Sequence, residues 1–278
     1  MQQYAFPVVF TLLVWWFSTG VILYLDGLPQ RTYRWSFLGA TACLVAALVG
    51  LAATQAETSI LGAYVAFACA IVVWGWQEMG FLMGFITGPR QTPCPADARG
   101  WRRFGYAVEA ILYHEFAILV LGIAVLALTW GGANQAGSGA FLILWVMRIS
   151  AKLNVFLGVR NLYQDFLPPH LRYLQTYFRK KPMNLLFPFS VSLATAAAAF
   201  LWRQAVAVDG GAFGVLQYSL LATLLSLAVL EHWFLVLPLP AEKLWRWGMH
   251  SRDAQAPAGT HGAGALVPAK IETVTPRR

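Results

Sequence analysis

Apolar runs of about twenty residues or more, separated by short polar or basic stretches, recur along nearly the whole chain, and each is long enough to cross ~30 Å of hydrocarbon at 1.5 Å per residue. Seven such segments are predicted, with limits near Phe6–Leu25, Trp35–Thr54, Ser59–Gly88, Phe104–Trp130, Gly139–Val159, Met183–Trp202 and Ala212–Pro238. The third, fourth and seventh exceed a straight crossing, so they are expected to tilt, bend or project from the bilayer. The fold class is all-α, a polytopic membrane bundle occupying residues 1–250 as one domain. No Lys or Arg precedes the first apolar run and no small-residue cleavage pattern follows it, so the first segment is expected to stay.

The basic residues orient the bundle. Seventeen of the 20 Lys and Arg residues follow segments one, three, five and seven; Arg203 alone lies on the other side, and Arg148 and Lys152 fall inside a helix. The positive-inside rule then puts the N-terminus outside and the C-terminus in the cytoplasm. Loops on the outer side, such as TQAET and GGANQAGSG, read as simple turns. On the inner side, FLPPHLRYLQTYFRKKPMN spaces Leu167, Leu171, Leu174 and Phe178 helically, with Arg172, Arg179, Lys180 and Lys181 on the other face or at the end. An interfacial helix near 168–181 resting on anionic lipid is expected there. The tail, 251–278, is rich in Ala, Gly, Pro and Thr without an apolar face, and disorder is expected.

Composition agrees with this pattern: 278 residues, 58% hydrophobic and only 12% charged, with mean hydropathy +0.57, leave little chain for a separate soluble domain. The net charge of +8 belongs to the membrane-side bias, so no nucleic-acid partner is implied. Cys43, Cys69 and Cys94 are scattered and form no zinc or disulfide pattern.

Ionisable residues at bilayer depth are costly and mark the place to look for function. They are Glu78 on segment three, Glu109, His114 and Glu115 on segment four, Arg148 and Lys152 on segment five, and Glu231 and His232 on segment seven. Arg148 and Lys152 stand four apart on one face, where like charges repel, so each requires an acid from another helix; Glu78, Glu115 and Glu231 are the candidates. The surplus of acids leaves room for protonation, an imidazolium or a divalent cation, and a metal set of Glu78, His114, Glu115, Glu231 and His232 is admitted. Adjacent His and Glu point about 100° apart on a helix, however, and the Glu-x-x-His and His-Glu-x-x-His spacings are absent. A structural network is the plainer reading, and an imidazole in an apolar pocket also suits the magnesium of a chlorin. Gly80, Gly84 and Gly88 form a small-residue stripe that would let another helix approach closely.

The stretches VVFTLLVWWFSTGVILYLDGLP, AYVAFACAIVVWGWQEMGFLMGFITGPR, ILYHEFAILVLG, RISAKLNVFLGVRNLYQDFLPPHLRYLQTYF and MNLLFPFSVS resemble the photosynthetic complex assembly protein 2 family, the PuhE type of purple phototrophic bacteria. The likeness extends from near the N-terminus to about Lys243. It implies a multi-pass protein of the bacterial inner or intracytoplasmic photosynthetic membrane, linked to building the reaction centre and its core light-harvesting complex and to bacteriochlorophyll supply. Reaction-centre or light-harvesting subunits, the lipid bilayer and a pigment are the implied partners, and no catalytic motif transfers. A non-enzymatic assembly factor is the leading expectation. A metal-dependent membrane oxidoreductase or hydroxylase acting on a tetrapyrrole or isoprenoid is the alternative, and a proton-coupled transporter using Glu115 or Glu231 ranks last.

Overall fold

In a computed structural model that describes residues 2–162, 166–207, 211–239 and 241–253, all seven expected spans are helices: α1 Gln2–Asp26, α2 Gln30–Thr54, α3 Ile60–Leu82, α4 Gly100–Leu128, α5 Ala136–Leu157, α6 Leu186–Ala207 and α7 Gly211–Phe234. Each is long and apolar enough to cross a membrane, which makes this a multi-pass membrane protein. A short α8, Arg246–Asp253, follows, together with 310 helices at Pro169–Tyr177 and Ala241–Trp245. Residues 254–278 of the expected disordered tail lie outside the described residues, while Ser251–Asp253 belong to α8.

Helices α1, α3, α5 and α7 pack on one another as a central group, with α2 and α4 against α3 and α6 against α7. The most buried span is α7. Its tight seam with α6 follows from small residues, Ala194, Ala198 and Ala228, which let the two backbones come together. Leu51, Phe67, Val73, Ile118, Val125, Phe141, Leu220 and Leu224 fill the largest core cluster. Bulky residues on the outer faces, such as Leu61, Phe116, Phe189 and Leu193, stay exposed, as lipid contact requires.

The two ends differ in construction. At one end the connections are short, and Asn134 clips two of them together by donating from Nδ2 to Thr54 O at 3.1 Å. At the other, which carries most of the basic residues and is called the basic end below, long connections fold back onto the bundle. The helix expected to run to Gly88 stops at Leu82 because Gly84 adopts a left-handed conformation (φ +85°). Phe85 N then donates to Gly80 O (2.9 Å) and Gly84 N to Phe81 O (3.0 Å), which satisfies the last carbonyls in a Schellman cap. Gly80, Gly84 and Gly88 therefore do not share one helical stripe, a correction to the sequence reading. Instead Gly88 lies so close to the backbone of Glu109 and Ala110 in α4 that a Cβ would collide with it.

The segment expected as an interfacial helix over 168–181 also differs. It is a 310 helix whose Leu171, Leu174 and Tyr177 are buried with Phe81 and Ala110, so protein covers its apolar face. Leucines three and four apart suit either helix type, and burial against α3 and α4 selected the tighter one. Arg172, Arg179, Lys180 and Lys181 remain exposed. The segment is held by Val159 N donating to Arg179 O (3.2 Å) and Lys181 N to Val159 O (3.1 Å). Arg90 Nε donates to the Tyr177 hydroxyl (2.9 Å), which donates in turn to Thr92 O (2.9 Å). Burial pushes the Tyr177 phenol above its ordinary pKa, against the opposing pull of the Arg90 guanidinium.

Candidate functional site in the bundle core

Helix α5 carries its two cations on the inner side. Leu142, Val146, Ile149 and Leu157 mark its exposed face, and at about 100° per residue Arg148 lies roughly 140° from the centre of that face. Arg148 donates to Glu78 Oε2 of α3 at 2.6 Å, and one turn on, Lys152 donates to Glu115 Oε1 of α4 at 2.5 Å. The like-charge pair on α5 is thus divided between acids from two different helices, which relieves its repulsion and ties three helices together.

Each central helix contributes one member to a polar group at this level: Trp15 from α1, Glu78 from α3, Arg148 from α5 and Glu231 from α7. Trp15 Nε1 donates to Glu231 Oε1 at 2.8 Å, and the charges of Arg148 and Glu78 act on Glu231. Glu231 lies within roughly 40° of the buried Leu220, Leu224 and Leu227 on α7, yet is itself exposed. The Arg148 side chain, although turned inward, is 39% exposed.

The two core histidines have opposite surroundings. His232 Nδ1 faces Ala228 O at 2.9 Å and so must be the protonated nitrogen, which leaves Nε2 to accept from Ser150 Oγ at 2.9 Å. Both ring nitrogens are engaged. His114 is completely buried beside Phe81 (ring centroids 4.5 Å apart); no side chain bonds its ring nitrogens, and the backbone of Gln77 in α3 is at most a weak hydrogen-bond partner. It is fixed there because the loop after α3 docks on α4: His114 N donates to Thr87 O (3.1 Å), outside its own helix.

This geometry corrects the admitted metal set. Glu78 and Glu115 are paired to cations, Glu231 to Trp15, and His232 to Ser150 and a carbonyl. Among the described residues no three His, Cys, Asp or Glu side chains converge as a metal-binding group. Glu109 leaves the buried cluster as well: its side chain is about half exposed and stands 3.9 Å from Arg90 at the rim. The reason is the loop 83–99, which folds back along α4 and brings Arg90 to it. The donor chemistry of the histidines does not fit a chlorin either. His232 has no open nitrogen, and the His114 ring is enclosed by packed side chains, whereas a macrocyclic magnesium needs an open face.

Gln77 and Asn184 escaped the sequence reading; Asn154 and Asn161 enter it through the stretches that carry the family resemblance. Gln77 is fully buried with both side-chain polar atoms unpartnered. Asn184 donates to Asn154 Oδ1 (3.1 Å) and Gly158 O (3.0 Å) while its Oδ1 caps α6 through Leu186 N (2.8 Å). Asn161 donates to Phe234 O at 2.6 Å and also to Leu237 O, which fixes the end of α7. Amides are uncharged, so neither depth nor charge counting singles them out.

Residues 1–256 match the family described as Protein of unknown function (DUF3623). The chain belongs to that family. It is also 40% identical over 251 residues to a protein of Rhodobacter capsulatus described as an uncharacterized 30.4 kDa protein in the puhA 5′ region, a match covering 88% of this chain and 91% of the relative. That relative comes from a photosynthesis gene region, so a photosynthesis-related role is compatible with the family membership. No solved structure matches the chain significantly.

Proposed function

We propose that this protein is an integral membrane assembly factor for the photosynthetic reaction centre and its core light-harvesting complex, seated in the bacterial inner or intracytoplasmic membrane with its basic end in the cytoplasm. The observation that carries the reading is the relative in a photosynthesis gene region, 40% identical over nearly the full length of both chains. The core supports it in a subordinate way. Charges paired across α3, α4 and α5 make a rigid scaffold, and such a scaffold suits a protein that presents a surface to reaction-centre or light-harvesting subunits. The factor acts on bacteriochlorophyll supply or handling from its outer surface, because neither core histidine offers a magnesium ligand with an open face.

The test is the near-infrared absorption of membranes from a deletion strain, complemented with wild type, Glu231→Gln or His114→Ala, with protein amounts matched by blot. Deletion is expected to lower core-complex absorption and wild type to restore it. An unchanged spectrum on deletion would overturn the proposal. Failure of a well-expressed variant to restore absorption would assign the Trp15–Glu231 pair or the buried His114 to the assembly role.

A further inference from the structure

At the basic end, away from the polar core, an open cavity of about 330 Å3 is lined by Cys94, Ala98, Arg99, Arg103, Thr176 and Arg179. Its chemistry is one-sided. Arg103 is only 6% exposed; its guanidinium lies over the Phe156 ring at 4.3 Å and donates to Phe156 O (3.3 Å) and to Tyr177 O. Those carbonyls orient the group but leave its charge uncompensated. Among the described residues no carboxylate pairs with Arg99, Arg103 or Arg179, and Arg179 is the cation whose charge acts on Arg103. The nearby Asp97 is taken by Arg102 on the outside. Helix α4 starts at this place with no side-chain cap and no acidic residue in its first turn, so its dipole adds positive potential to the cavity.

A buried guanidinium beside a second one, without an acid, is a costly arrangement that a bound anion relieves. We propose that this cavity is a binding site for a phosphate-bearing anion, held by Arg103 and Arg179 with Arg99 and the start of α4. The volume lies at the lower end of small-ligand sites and exceeds a bare phosphate. Planar guanidinium forks suit phosphate oxygens better than a point charge does. The site has two sources for this chemistry: a soluble phosphate or a phospholipid headgroup. Trp101, 85% exposed on the first turn of α4, is the kind of side chain that anchors at a membrane interface and keeps the second source in reach.

The test is the thermal midpoint of the full-length protein in a non-ionic detergent at constant ionic strength, titrated with inorganic phosphate or with short-chain phosphatidylglycerol, short-chain phosphatidylcholine being the reference for the lipid arm. Ligand binding raises the midpoint. A rise with inorganic phosphate identifies a soluble source, and a rise confined to phosphatidylglycerol identifies the lipid headgroup; both support the site. Arg103→Gln and Arg179→Gln are each expected to weaken binding about tenfold, whereas Arg172→Gln, which removes an exposed cation outside the cavity, should leave it unchanged. If Arg103→Gln fails to fold, Arg179→Gln carries the test, since Arg179 is exposed. The proposal is overturned if neither probe shifts the wild-type midpoint, or if Arg172→Gln weakens binding as much as Arg179→Gln.

Discussion

Arg148 and Arg103 both sit against the bundle, and the protein treats them in opposite ways. Arg148, in the bundle core, has a carboxylate at 2.6 Å from a neighbouring helix. Arg103, at the basic end of α4, is more deeply buried and rests only on carbonyls and an aromatic ring. The difference teaches where charge is spent on holding helices and where it is left available. A cation within hydrocarbon must bring its own counter-charge, because neither water nor a soluble ion can reach it cheaply. At the membrane edge that restriction lifts, and an unpaired guanidinium can wait for an anion from outside.

The sharpest way to break the comparison is to remove the counter-charge. Glu78→Gln leaves Arg148 without its acid and is expected to lower stability by about 2–3 kcal/mol, below the ~3–5 kcal/mol of a fully buried pair because the Arg148 side chain is 39% exposed. In unfolding experiments the double variant Glu78→Gln with Arg148→Gln should recover part of that loss. A double loss equal to the sum of the single ones would show that the two groups do not act as a pair. The same logic applies to Glu115→Gln and Lys152.

A comparable effect, about 1–3 kcal/mol, is expected for Gly88→Ala, since the new methyl group runs into the α4 backbone at Glu109 and Ala110. That loop leads from Gly88 past Arg90 to Cys94 and Arg99, so loosening it should also weaken anion binding. Gly39→Ala, where nothing stands within 4 Å of the added atom, serves as the control and should be neutral or slightly stabilising. Equal melting behaviour of the two variants would show that the loop is a passive connector.

Smaller still is the expected stability cost of Arg103→Gln, about 1 kcal/mol for its lost carbonyl hydrogen bonds, although its effect on anion affinity is large. Arg172→Gln should change neither.

The seven spans were legible because their apolar runs are long and the interruptions polar. The end of α3 was not, since FLMGFITG continues the apolar run past the point where Gly84 turns the backbone left-handed. The need of Arg148 and Lys152 for acids could be read from their spacing, and Glu78, Glu115 and Glu231 were the candidates. Which acid went to which cation could not, because that depends on the rotation of three helices about their axes. Glu231 turned to Trp15, a residue whose type reads equally well as packing or an interface anchor. Arg103 passed as one basic loop residue among many; only the folded-back chain from Cys94 to Arg99 and from Thr176 to Arg179 shows that it is buried at the edge of a cavity.

The most direct test of the two treatments of charge compares thermal midpoints of Arg148→Gln and Arg103→Gln, each with and without the anion that stabilises wild type. The account predicts a large fall for Arg148→Gln with the ligand-induced rise intact, and a small fall for Arg103→Gln with that rise largely lost. The reverse pattern, or two variants with the same profile, would contradict it.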